Sequence, residues 1–483
     1  MATTSDRQAS HHSETKPLLS LPPELMCPRA LAPFLHKTPL PVLVRSCLEW
    51  MLAQANLEAL FQQTARQQYT RELTLSVLVD LMLEVACGTQ PSAHAALAAR
   101  REQILVSRQA FYAKLQRMEL PISEAVVTRF ADMAGQIMGQ WGRPGIEPIP
   151  GYQARVLDGI VLGGRTEHRI EPLRTTRAAG LTGKGLAVFQ PAQGHIGQIV
   201  LDEDAYTQER ALVGRVQVLP GEVWFGDRNF CVRSFLFRVQ RQQAAFIVRW
   251  HSSACPYECG APTAPAPGST QGALEQPVLL VDPDTGEVMS VRRIVLPLAT
   301  PTRNGDRELV LLTNLPASVS ADAIGDAYRE RWQIEVHFQR LTQQLHCEPA
   351  GFDYPRAALF AFAIAVVAGI ALAVVQAALR VAHGEESVQE LSYYAFVLQV
   401  SQIWPGLSVA VPDEQWQGVR RASLETLAAW LLALARQVDM ERFRRQRRGP
   451  KKPQPKKQKS AGHNHFSNKR LLDEALRSPY FSR

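Results

Sequence analysis

Cysteine is scarce in this chain. Seven in 483 residues, an odd number, argue against a disulfide framework and for a reducing compartment. Cys255 and Cys259, with His251 upstream, stand at a spacing a metal could use, but no second pair follows. Pro262, Pro265 and Pro267 mark a loop there, so no structural zinc is expected. The first ten residues lack the apolar core of a signal peptide, and the cytoplasm is the expected location. No Gly-x-Ser-x-Gly elbow and no His-Glu-x-x-His helix occurs. Gly180-Leu-Thr-Gly-Lys-Gly185 fails as a phosphate loop, because Ala178 stands where a glycine is needed and Gly185 where Ser or Thr is needed. ATPase and hydrolase readings are therefore left without support.

Long apolar runs are also rare. One exists, Ala357–Val375, nineteen residues without a polar side chain. It is almost long enough to span a bilayer, but eight of the nineteen are alanine, which dilutes its hydrophobicity. It reads as a buried core helix, with no membrane partner. Acid is missing from one further stretch. Residues 442–459 hold ten Arg or Lys and no carboxylate, so the formal charge of +8 falls to −2 (8 − 10) without them. That composition predicts a basic tail over 441–483, disordered from Gly449, which attracts DNA by counterion release or simply solubilises the chain.

What is present centres on three acids. Ser320 offers an N-cap, and a helix is predicted from there to about His346. At about 100° per residue, Tyr328, Arg331, Glu335 and Thr342 share one stripe of that helix. Asp158 lies in the apolar run Ala-Arg-Val-Leu-Asp-Gly-Ile-Val-Leu, and Asp227 ends the aromatic run Glu-Val-Trp-Phe-Gly-Asp-Arg-Asn-Phe. Both settings predict strands. A carboxylate in such a run needs a cation, a metal or an opening to solvent, because an isolated buried charge is prohibitive.

In that order, Asp158-Gly159, Asp227-Arg228-Asn229-Phe230 and Tyr328-x2-Arg331-x3-Glu335 resemble the three catalytic blocks of a DDE transposase of the insertion-sequence-4 family. The intervals fit as well: 227 − 158 = 69 residues, then 335 − 227 = 108. The longer second interval is similar to that family's habit of placing a β-rich insertion before the glutamate helix. The resemblance implies a ribonuclease-H-like core in which Asp158, Asp227 and Glu335 hold two Mg²⁺ or Mn²⁺ ions. Asp158 would bridge both ions. It further implies that Tyr328 and Arg331 contact DNA near the scissile phosphate, with Arg228 beside them. The implied activity is cleavage at terminal inverted repeats followed by joining of the 3′-hydroxyl to target DNA, by a homodimer on double-stranded DNA of the bacterial nucleoid. One departure stands out: the family's lysine, seven residues after Glu335, is Thr342 here. Arg340 and Arg331 are the nearest replacement cations. Thr342 keeps open a non-catalytic, transposase-derived DNA-binding protein; a related ribonuclease-H-like nuclease is the other alternative.

The expected fold class is α/β: a catalytic core over 146–380 with a β-rich insertion at 252–306, flanked by helical regions at 1–145 and 381–440. Leu40–Ala55, Thr70–Cys87 and Ile122–Met138 show helical apolar spacing. Ser92–Arg101 and Ser107–Met118 form a candidate helix-turn-helix that would present Arg108 and Lys114 to a groove; two ordinary packed helices fit equally. Strands are predicted at Tyr152–Gly163, Glu167–Ile170, Gly185–Gln190, His195–Val200, Ala245–His251 and Arg307–Leu315, and a hairpin over Val278–Leu296. Helices are predicted at Thr207–Val216, Ser234–Gln242 and Leu424–Val438.

Overall fold

The computed structural model describes residues 31–142, 145–163, 180–259, 261–302, 305–349, 351–446 and 465–477. Helices come first: α1 Ala32–Lys37, α2 Pro39–Gln54, α3 Leu57–Thr64, α4 Leu75–Ala86, α5 Ala93–Ala99, α6 Arg108–Gln116 and α7 Leu120–Gly139. Ser92 and Ser107 cap α5 and α6, their hydroxyls accepting from the amides of Ala95 and Ala110 at 3.1 Å each. The predicted helix pair is thus present, with α5 leaning on α4.

Next comes a mixed sheet of eleven strands: β1 Gln153–Gly163, β2 Gly180–Gln190, β3 His195–Asp202, β4 Glu222–Gly226, β5 Ala245–Arg249, β6 Glu258–Cys259, β7 Ala264–Pro265, β8 Leu274–Val281, β9 Val288–Pro297, β10 Glu308–Thr313 and β11 Phe466–Ser467. Strand β2 lies between β1 and β3; outward from β1 the order is β4, β5, β10, β9, β8, β6. β1, β4 and β5 run parallel; β2 runs antiparallel to β1, and β3, antiparallel to β2, takes the direction of β1 again. Short connections α8 Glu209–Leu212 and α9 Arg233–Arg241 flank β4. The helix expected over Thr207–Val216 shortens to α8 and a 3₁₀ turn at Val213–Arg215. The strand expected at Glu167–Ile170 lies outside the described residues. The hairpin of the 252–306 insertion, β8 and β9, pairs through β9 with β10, so it widens the same sheet.

The helix expected to run unbroken from Ser320 to about His346 is in two parts. α10 Ala321–Arg329 and α11 Gln333–Gln343 are joined by a 3₁₀ turn, Glu330–Trp332. No side chain of that turn is fully buried and none is apolar and enclosed, so no packed apolar face holds it at α-helical pitch. The apolar run is the middle of α12 Pro355–His383, which starts with Pro at its first position and stops at Gly384, φ 85°. It is buried along its apolar length and touches β2, β3, α2, α4, α6 and α7. Being enclosed on all sides, it has no polar face to offer, which is why its sequence shows no amphipathic stripe.

The C-terminal helices are α13 Glu385–Gln389, α14 Tyr393–Ala410, α15 Gln417–Arg421, α16 Leu424–Gln437 and α17 Asn468–Arg477. They interlock with the N-terminal ones through tryptophan. The indole of Trp50 donates to the carbonyl of Ala422 at 2.9 Å, that of Trp141 to Ala428 at 3.2 Å, and that of Trp430 to the hydroxyl of Ser46 at 3.1 Å. The two terminal helical regions therefore share one core with α12, on one face of the sheet. The opposite face is covered by α9, with Trp224, Phe235, Phe237 and Phe246 in its core. Truncating any of these rings to alanine would cost about 3–5 kcal/mol.

The basic tail is not disordered throughout. Its far end returns as β11 on the edge of β2, followed by α17. The Ser467 hydroxyl donates to Asp204 at 2.8 Å, and the buried Asn468 amide donates to the carbonyl of Asp353 at 2.7 Å. Residues 447–464 lie outside the described residues.

Candidate active site

The register of the parallel strands brings two of the acids together. β1 and β4 pair Gln153 with Glu222 through Val156 with Phe225, a constant offset of 69 (222 − 153). Asp158 and Asp227 carry that same offset, 227 − 158 = 69, and so stand opposite each other two rungs past the last pair. Neighbouring strands lie about 4.8 Å apart. This is where β4 ends and where the sheet order reverses between β1 and β4, the position at which open α/β sheets form their clefts.

Each acid is fixed locally. The Asp158 carboxylate accepts from the amide of Gly159 at 2.9 Å. Asp227 caps the 3₁₀ turn Arg228–Phe230, accepting from the amide of Asn229 at 2.8 Å. Glu335 arrives from the first turn of α11. Among the three acids stands the mostly buried Arg331, whose Nη2 is 3.3 Å from Glu335 Oε1 and whose Nη1 is 3.9 Å from Asp158 Oδ2. Its guanidinium also lies 5.9 Å from the ring centre of Tyr328.

Electrostatics report the crowding. Burial pushes the Asp158 carboxyl up to about 7; Arg331 opposes that, and the negative charges of Asp227 and Glu335 add to it. Burial also pushes the Tyr328 phenol up to about 12, so it stays a neutral O–H donor. The donor set is three carboxylates without histidine or cysteine, which suits a hard cation such as Mg²⁺ or Mn²⁺ and not zinc. Among the described residues, no three His, Cys, Asp or Glu side chains are closed to metal-binding distance. Arg331 supplies the cation in this arrangement.

The other predicted residues disperse. Arg228 follows Asp227 and reaches Asp306 at 3.2 Å. Arg340 turns from the acids to stack over Tyr393 of α14 at 4.6 Å, where burial lowers its pKa. Lys114 is tied inward, donating to the carbonyl of Tyr69 at 2.9 Å and lying 4.8 Å over the ring of Phe61. Arg108 is exposed, 5.9 Å from the ring of Tyr112. The Thr342 hydroxyl folds back on its own helix, donating at 3.1 Å to the carbonyls of Phe338 and Gln339.

Sequence reasoning missed three neighbours. Glu209 of α8 accepts from the side-chain amide of Asn229 at 2.7 Å and packs against Gly159. Arg249 shares a rung with Asp227, because β4 and β5 pair Val223 with Ala245 and 249 − 227 equals 245 − 223. Asp306 holds both Arg228 and Arg249. Only Gly159, next to Asp158, and Asn229, two residues past Asp227, hinted at the first of these.

The chain matches no protein-family model and no curated relative. Among solved structures it is similar to piggyBac transposase in a synaptic complex with hairpin DNA. That match has a TM-score of 0.36 and 9% identity, and covers 80% of this chain and 82% of that one. A likeness of that degree decides nothing about the acids.

Proposed function

We propose that this chain is a DDE transposase of the insertion-sequence-4 kind, which cleaves DNA at the ends of an insertion sequence and joins the freed 3′-hydroxyl to target DNA. The observation that carries the reading is the convergence of Asp158, Asp227 and Glu335. They lie 69 and 108 residues apart in the chain and come from two strand ends and a helix, yet gather around one arginine. The sheet order β3-β2-β1-β4-β5, three antiparallel strands continued by two parallel ones, supports a ribonuclease-H-like core.

Asp158, Asp227 and Glu335 would hold the divalent ions, with Asp158 between its two partners. The chemistry such ions supply when bound is activation of an attacking water or 3′-hydroxyl and stabilisation of the leaving oxygen. The rest falls to the chain. Tyr328, neutral and nearly buried, offers an O–H to a phosphate oxygen beside the acids. Arg331 neutralises the carboxylates in the free protein and turns its guanidinium to the DNA strand once they are otherwise satisfied. α12 backs the β2–β3 side of the sheet, so the rung carrying Asp158 has a rigid support.

The deciding experiment incubates a linear DNA carrying the flanking terminal repeats with Mg²⁺ and either the intact protein or Glu335→Ala. Cutting at the repeat boundary that disappears in the variant supports the reading. Binding without cutting by the intact protein sinks it in favour of a non-catalytic DNA-binding protein, the reading that Thr342 favours.

A further inference from the structure

Beside the acids, three donors converge on a single oxygen. Asp306 Oδ2 accepts from Arg249 Nη2 at 2.7 Å, from Arg228 Nη2 at 3.2 Å and from the hydroxyl of Thr302 at 3.1 Å. Two guanidiniums that would otherwise repel are thus held together by one carboxylate. They line a pocket of about 290 Å³ with Trp250, Arg307 and Val310. Three Arg side chains face it against two acids, Asp306 and Glu308, so the pocket keeps a net positive charge. Its position is fixed by register: Arg249 stands on the rung of Asp227, and Arg228 follows Asp227 in the chain.

Asp306 itself is held from one turn. The amide of Thr302 donates to the carbonyl of Asp306 at 2.8 Å, and the amide of Asp306 donates to the Thr302 hydroxyl at 3.1 Å. Gly305, φ 88°, lets the chain close there. Thr302, Gly305 and Asp306 lie between β9 and β10, outside both strands. A carboxylate outside the strands can leave its partners without disturbing the sheet, whereas Arg249 is part of a strand and remains.

We propose that Arg228 and Arg249 form a phosphate-binding subsite for the DNA strand that runs past the acids, and that Asp306 occupies it as a phosphate mimic until DNA displaces it. The inference rests on the reading of the acids as a DNA-processing centre. A phosphate presents several oxygens to the two guanidiniums where Asp306 presents one, and charge-assisted pairs of that kind are bidentate and strong. Asp306 then acts as a gate against weak, non-specific DNA, because any strand must compete with it.

The test is binding of a short fluorescent duplex across a range of salt concentrations, with the intact protein, Asp306→Asn and Thr302→Val. Removing the competing charge should tighten binding several-fold. It should also steepen the fall of log K with log salt by about 1, the increment for each additional phosphate neutralised. Thr302→Val, which only loosens the hold on Asp306, should move both quantities the same way by less, and circular dichroism establishes that each variant is folded. Unchanged or weakened binding in folded Asp306→Asn, with the intact protein still binding duplex, overturns the subsite alone. No duplex binding by any of the three overturns the subsite and the DNA reading together.

Discussion

The carboxylate of Glu209 occupies the space that a side chain at Gly159 would need: a Cβ built there would come within 2.3 Å of its Cδ. That carboxylate also accepts from Asn229 at 2.7 Å, so one residue braces the chain beside Asp158 and beside Asp227. Gly159→Ala must therefore push Glu209 aside and break the Asn229 bond. Because Glu209 is flexible, the expected cost is modest, about 1–2 kcal/mol. Adding Glu209→Ala to Gly159→Ala should cost less than the two changes summed. Denaturant unfolding of all three variants checks this, and strict additivity would show that the contact has no structural consequence.

Asp158 makes stability depend on pH. In the folded chain its carboxyl titrates at about 7, whereas unfolded it titrates near 4. Between those values the folded state binds more protons, so its stability falls as pH rises through about 4 to 7 and levels off above. Asp158→Asn removes that penalty. Thermal unfolding should show the variant a few degrees more stable than the parent at pH 8, with the difference gone at pH 4. Added Mg²⁺ should stabilise the parent more at pH 8 than at pH 6, since the carboxylate must be ionised to act as a ligand.

Arg331 is the counter-charge that the three acids depend on. Arg331→Gln leaves Asp158 and Glu335 facing Asp227 without a cation, and should destabilise the metal-free protein by about 2 kcal/mol, below the cost of breaking a fully buried pair. Arg331→Lys should recover only part of the loss, because a single ammonium cannot reach two carboxylates as the guanidinium does. The decisive comparison is the melting temperature with and without Mg²⁺. A larger Mg²⁺-induced rise in Arg331→Gln than in the parent is expected, and an equal rise would show that the arginine and the ions do not share the acids.

Much of this was legible in the sequence wherever a local pattern decided the outcome. Apolar runs with turn residues at their ends marked β1, β3, β5 and β10, and Ser92, Ser107 and Ser320 marked helix starts. The constant offset of 69 even encoded the Asp158–Asp227 rung, although only the strand register made it meaningful. Illegible features were those set by long-range packing. The 3₁₀ break at Glu330–Trp332 follows from a lack of burial that periodicity does not reveal. Arg340 and Lys114 looked available, but each found a ring to lie over, at Tyr393 and Phe61, because stems of that length bury readily. Asp306 escaped notice because it lies 79 residues (306 − 227) beyond the acid whose neighbour it holds.

Gly369 offers a test in the stabilising direction. It sits inside α12, where glycine is worth about 1 kcal/mol less than alanine because it leaves the unfolded backbone freer. A Cβ there would meet Leu341 at 3.4 Å, Leu345 at 3.6 Å and His337 at 3.7 Å, all ordinary packing distances. These three residues belong to or closely follow α11, the helix that carries Glu335. Gly369→Ala should therefore raise stability by about 0.5–1 kcal/mol and tighten the seat of α11 against α12. Hydrogen exchange at the α11 amides is the direct readout. Slower exchange there, with an unchanged rate in α14, would place the gain at this contact. A loss of stability would show that α11 and α12 are already packed too closely for a methyl group, and that Gly369 is there to let them approach.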